Sequence, residues 1–310
     1  TVDGETTYHT ETDYNTLYTY VKNMPVAAKI TLYQNYTVDA GKDLDFTVGG
    51  TELDLNGHTI TITAKHGYGC IRSNTGTGGL YVYSSKAGAQ ILAQSNGGFI
   101  FAAGAFNEPT STTRTLKNEG ILTIGKDKSG NAYAGNLTVK GTCLLAAVSD
   151  TTIDGIVYED TRIDNSGAIQ FQLGTDGGTR NAAVVKVNNC DFSAVKTGAL
   201  FAVRYGDGWS ATVEKSRIYT AHNLLVNKDY RVTGKTTESV TFIDTDIYST
   251  ETILNTHKDT FPITLGENVR MNLANKALAV KVDYTLARAD EKDFTLAKEG
   301  THATYTTLYE

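Results

Sequence analysis

Four aspartates recur at matching places in the second half of the chain, in Thr175-Asp176-Gly-Gly-Thr-Arg180, Gly206-Asp207-Gly-Trp209, Lys228-Asp229-Tyr230-Arg231 and Lys258-Asp259. Carboxylates repeated beside guanidinium groups and aromatic rings suit a sugar site. Rings cover the apolar face of a pyranose, and Asp and Arg hydrogen-bond its hydroxyls or carboxylates. The candidate groove read from these loops is Asp176, Arg180, Arg204, Asp207, Trp209, Asp229, Tyr230 and Arg231. Two neighbouring carboxylates of the set would also suit Ca²⁺, which takes oxygen ligands. No other cofactor is expected. Asp-Gly is equally plain turn chemistry, so the recurrence carries the expectation rather than any single Asp.

Such loops need a frame that repeats, and the chain contains one. Tyr158-Glu-Asp-Thr-Arg-Ile163, Val187-Asn-Asn-Cys-Asp-Phe192, Val213-Glu-Lys-Ser-Arg-Ile218 and Phe242-Ile-Asp-Thr-Asp-Ile247 align, with their last residues 29, 26 and 29 apart. A period of this size, with a four-residue polar turn between apolar positions, signals a solenoid whose coils bury one another's inner faces. A second apolar run follows each turn (Gly167-Ala-Ile-Gln-Phe, Gly198-Ala-Leu-Phe-Ala-Val, Asn223-Leu-Leu-Val, Thr252-Ile-Leu-Asn), which implies at least two strands per coil. Leu53-Asp-Leu, Leu80-Tyr-Val-Tyr, Ile121-Leu-Thr-Ile and Leu137-Thr-Val are expected as earlier rungs. The stretch from Phe99 to Arg114 is expected as an insertion, and Asp127-Lys-Ser-Gly-Asn131 as a plain turn. Asp13 is placed to cap a short helix from Tyr14 to Lys22, with Leu17, Tyr18 and Val21 on one face. That helix would close the first coil. The reading is an all-β, right-handed parallel β-helix over residues 1–275, with residues 1–29 as its cap. Residues 276–310 are read as a C-terminal cap or the start of a further module. Cys70, Cys143 and Cys190 show no paired spacing and are expected as small core residues.

The segment Thr51-Glu-Leu-Asp-Leu-Asn-Gly-His-Thr-Ile-Thr-Ile62 resembles a rung of pectate-lyase-like β-helix domains of bacterial surface proteins, and Ile30-Thr-Leu with Thr37-Val-Asp-Ala-Gly-Lys42 resembles their entry coil. In that rung Leu53 and Leu55 would point inward and Asn56-Gly57 would make the turn. The resemblance implies a secreted or cell-wall-associated adhesive protein. The adjacent Asp-Asp and the Gly-His-Gly of β-helix glycosidases acting on pectin are absent, which speaks against hydrolysis.

Composition narrows the function classes. A net charge of −6 with scattered basic residues argues against nucleic acid as partner. No apolar run approaches the ~20 residues of a membrane helix, so no membrane insertion is expected. The six histidines form no HExxH, and Gly-x-Ser-x-Gly is missing. No catalytic residue and no metal set is assigned. Three readings stay open. One is a non-catalytic extracellular adhesive module contacting polysaccharide or a cell-surface protein, within a larger chain or assembly. Another is a polysaccharide lyase on an acidic glycan, using Arg204, Lys228 and Arg231 beside Asp207 and Asp229. The third is a structural subunit of a cell-surface assembly.

Overall fold

Short β-branched runs separated by Gly, Asn and Asp fold into coils, each laid on the one before. The computed structural model describes residues 13–64, 69–75, 77–94, 98–106, 116–118, 120–141, 143–161, 167–172, 183–195, 199–205, 209–220, 225–227, 239–249, 254–255, 263–273, 284–285 and 297–298. Three parallel sheets of nine, nine and eight strands form the walls of a right-handed β-helix. Each full coil gives one strand to each sheet, so a coil holds three strands, in keeping with the expectation of at least two. In one coil these are Thr51–Asp54, Thr59–Ile62 and Ile71–Ser73; in another, Trp209–Glu214, Arg217–Thr220 and Leu225–Asn227.

Alternation along each strand sends every second side chain inward, where like positions stack. In the first sheet Leu53, Val82, Ile124, Ile153, Val187, Val213, Phe242 and Leu265 stand in one column. All are buried, and each such side chain contributes about 1.5–3 kcal/mol relative to exposure. Phe192, Ile218 and Ile247 stack in the second sheet as their spacing implies. The first repeat unit is out of step with the reading above. Ile153, not Tyr158, faces Val187, and Tyr158 packs edge-on against Phe192 with ring centroids 5.6 Å apart. The polar stretch after Tyr158 copies the spacing of the true turn at Asp154-Gly155-Ile156-Val157, so spacing alone did not separate them. Ile163 lies outside the described residues.

A further correction concerns Phe99 onwards. Phe99–Ala103 is a regular third-sheet strand, with Phe101 between Ile71 and Leu145, and only beyond it does the chain leave the coil. Ala105–Phe106 then pairs antiparallel with Leu116–Asn118. At the N-terminal end the helix Tyr14–Asn23 begins at Asp13, whose Oδ1 accepts from Thr16 N at 2.9 Å. It buries Tyr14, Leu17 and Val21 over the first coil, and the Tyr14 hydroxyl donates to the Lys42 carbonyl at 2.5 Å. The Asn56-Gly57 turn has both φ positive (48° and 84°), and the Asn56 amide reaches down to the Leu32 carbonyl at 2.9 Å. The three cysteines are free and buried. Described rungs end at Leu273, and Tyr284–Thr285 pairs antiparallel with Ala297–Lys298.

Candidate functional site

The corner between the first and second sheets is uniform over four successive coils, while in the other coils it holds four to twelve residues. In four successive coils the chain crosses it in two residues: Gly155-Ile156, Asn189-Cys190, Lys215-Ser216 and Asp244-Thr245. The first residue of each pair is left-handed, with φ of 68°, 52°, 50° and 46°, and Asn268 continues the series at 55°. The second turns inward and is buried. The corner is hydrogen-bonded in both directions. Asn189 N donates to Glu214 O at 3.0 Å and Lys215 N to Ile243 O at 3.1 Å, while Arg217 N donates to Cys190 O and Asp246 N to Ser216 O, both at 2.9 Å. Burial, with the Asp154 charge adding to it and backbone hydrogen bonds at Ile156, Gly155 and Asn188 only partly opposing it, pushes the Cys190 thiol up to about 12, so it stays protonated beneath the corner.

One residue past each crossing points outward at the same height, which builds a column: Val157, Asp191, Arg217, Asp246, Arg270. Neighbours stand one strand apart, about 4.8 Å. Arg217 Nη1 lies 3.6 Å from Asp191 Oδ2, and Arg270 grips Asp246 through Nε at 2.6 Å and Nη2 at 2.5 Å. The neighbouring turn column adds Lys215, paired with Glu214 at 3.0 Å, and Asp244, whose Oδ1 accepts from Asn268 Nδ2 at 2.7 Å. The Glu214 hydrogen bond and charge raise the Lys215 pKa. An open depression of about 630 Å³ runs along these residues, from Ala134 and Gly135 at one end to Arg270 at the other. Its charged lining is three carboxylates and three cations, so the charge balances. Two residues along the same strands, Tyr219 and Tyr248 are register neighbours and stand 37% and 41% exposed. Balanced donors and acceptors beside exposed ring area can hold a hydroxylated chain.

The depression ends where a flap begins. Gly125–Asn136 leaves the first sheet after Ile124 and folds over its outer face. Gly125 has φ of 89°, and any Cβ there would fall on the Asp154 carbonyl, so only glycine makes this exit. The expected turn at Asp127-Asn131 is present. Burial opposes charge on Asp127, yet hydrogen bonds from Asn131 (backbone and side chain, both 2.8 Å), Tyr133 (3.0 Å) and the Ser129 backbone hold its pKa below the ordinary value. Tyr133 stacks on Tyr83 at 5.1 Å, which buries Tyr83 although its strand position faces outward. Burial and the carboxylate of Glu52, which accepts from its hydroxyl at 3.2 Å, raise the Tyr83 pKa. Lys126 pairs with Asp154 at 2.6 Å beneath the flap.

Of the groove residues singled out from sequence, only Arg204 and Trp209 lie in described strands. Asp176, Arg180, Asp207, Asp229, Tyr230, Arg231 and Asp259 lie outside the described residues. The Arg204 backbone lies in the third-sheet strand Phe201–Tyr205. Trp209 corrects the expectation. It opens the strand Trp209–Glu214 on the inward phase with Ala211 and Val213, is fully buried, and stacks on Phe171 at 4.9 Å. A ring inside the cylinder offers no face to a sugar. The column was hidden because its members sit within the repeat units themselves. Arg217-Ile-Tyr219 and Asp246-Ile-Tyr248 show outward-inward-outward alternation that a register-aware alignment exposes. Among the described residues no group of three or more His, Cys, Asp or Glu is arranged to hold a metal ion. Among them too, no helix is long and apolar enough to cross a membrane. No family model, curated protein or solved structure matches the chain.

Proposed function

We propose that the chain is a non-catalytic β-helix module that binds polysaccharide along the corner between its first and second sheets. The observation that carries this reading is the outward column Asp191-Arg217-Asp246-Arg270 beside the exposed pair Tyr219 and Tyr248. Polar groups on strands stay fixed when a ligand arrives, so little ordering entropy is lost on binding. Exposed tyrosines add contact area with few torsions to freeze. The groove carboxylates are engaged, Asp191 and Asp246 with arginines and Asp244 with Asn268, an arrangement suited to holding hydroxyls rather than to taking a proton from carbon. The likeness of Thr51–Ile62 to rungs of pectate-lyase-like surface domains favours an extracellular, cell-surface setting for this binding.

Affinity electrophoresis in gels containing soluble polysaccharides, run beside assays for reducing ends and for ultraviolet-absorbing unsaturated uronates, tests the reading. Retardation without product release is expected. Steady release of either product would replace it with the lyase or hydrolase alternative.

A further inference from the structure

We infer that the polysaccharide is an uncharged one and that it lies along the solenoid axis, one sugar unit to each coil; this rests on the binding reading above. The column alternates sign at every coil, from Asp191 through Arg217 and Asp246 to Arg270. A chain with a carboxylate on every unit would meet a cation on one coil and a carboxylate on the next. Each attraction gained would be offset by a repulsion one strand spacing away. Each arginine also faces a carboxylate, Arg217 at 3.6 Å from Asp191 and Arg270 bonded to Asp246, so the pairs offer little net attraction to an anion. A neutral hydroxylated chain meets no such conflict. A hydroxyl both donates and accepts, so it is served by an Asp or an Arg alike.

Direction and length follow from the same geometry. Tyr219 and Tyr248 present ring area on consecutive coils, about 4.8 Å apart, a step close to the length of one unit in an extended sugar chain. The flap residues Ala134 and Gly135 bound the depression at one end, and Arg270 stands at the other. Five coils therefore line it, from Val157 to Arg270.

The test is titration calorimetry of the full chain with two oligosaccharide series, from two to eight units. One series is neutral (β-1,4-linked glucose, xylose and mannose); the other is α-1,4-linked galacturonate. Neutral ligands should bind with affinity that rises to about five units, levels off, and is insensitive to salt. Replacing both rings, Tyr219→Ala with Tyr248→Ala, should weaken that binding about tenfold or more. Asp191→Asn with Asp246→Asn makes the column cationic and should confer salt-sensitive galacturonate binding. Circular dichroism of each variant confirms folding. Salt-sensitive binding of galacturonate alone by the unmodified chain overturns the uncharged-ligand inference and leaves the binding reading standing. Neutral binding untouched by loss of both tyrosines overturns the proposed location. If neither series is bound, the binding reading itself falls.

Discussion

Two stretches of outer wall use the same kinds of side chain to opposite ends. Beneath the flap Gly125–Asn136, an outward tyrosine, Tyr83, is stacked, hydrogen-bonded to Glu52 and sealed from water. Lys126 and Asp154 are locked together nearby. Along the corner that follows, Tyr219 and Tyr248 occupy outward positions with Arg–Asp pairs beside them, and no described segment folds over them. Tyrosine, carboxylate and cation thus make a structural joint in one place and an open surface in the other. What decides is whether the chain returns to cover them, and that depends on the left-handed exit at Gly125 rather than on the side chains themselves.

Substitutions at buried and open aromatic positions sharpen the contrast. Trp209→Ala should cost about 3–5 kcal/mol in denaturant unfolding, since a fully enclosed ring leaves a cavity. As the only tryptophan, Trp209 should also resist iodide quenching and keep its emission when saccharide is added. A quenchable, ligand-sensitive signal would return it to the surface. Asp127→Ala should cost about 1–3 kcal/mol through the lost hydrogen bonds. Its mark should be faster amide exchange across residues 125–136, with the groove coils unchanged.

The same latch sets a pH dependence. The Asp127 pKa is lowered in the folded state, so its contribution is present above the unfolded value of about 3.9 and is lost as pH falls through the folded one. Protection of the flap amides, taken relative to their intrinsic exchange rates at each pH, should therefore be constant from neutral to mildly acidic pH and fall in stronger acid. Asn189→Ala should cost about 1 kcal/mol, because φ of 52° is strained for alanine, while Asn189→Gly should cost little. Smallest of all, Tyr219→Ala should stay within about 0.5 kcal/mol of the parent, since the side chain points outward and is already more than a third exposed. A large loss there would mean that the two walls do not differ as described.

Most of the frame was legible in the chain, and the candidate column at the corner was not. Strand periodicity, the Asn56-Gly57 turn, the Asp13 cap and the stacking of Phe192, Ile218 and Ile247 follow from local chemistry that a sequence displays directly. The Tyr158 offset shows where that runs out, since two polar stretches with equal spacing differ only in which one the neighbouring coil accepts. Trp209 illustrates the same limit, as Gly206-Asp-Gly before it reads as a loop and hides that the inward phase already begins at the ring. The charge column needed register between strands 24 to 29 residues apart, which no single strand contains.

The two-residue crossing has a consequence for how this molecule tolerates change. In the four coils that share it, the link from second to third sheet ranges from four residues, between Thr220 and Leu225, to eight, between Asp160 and Ile169, yet Val157, Asp191, Arg217 and Asp246 keep their alignment. Over these four coils the solenoid has one fixed corner and an editable margin beside it. Differences in link length at that margin leave the intervals of whatever projects from the corner unchanged across these coils.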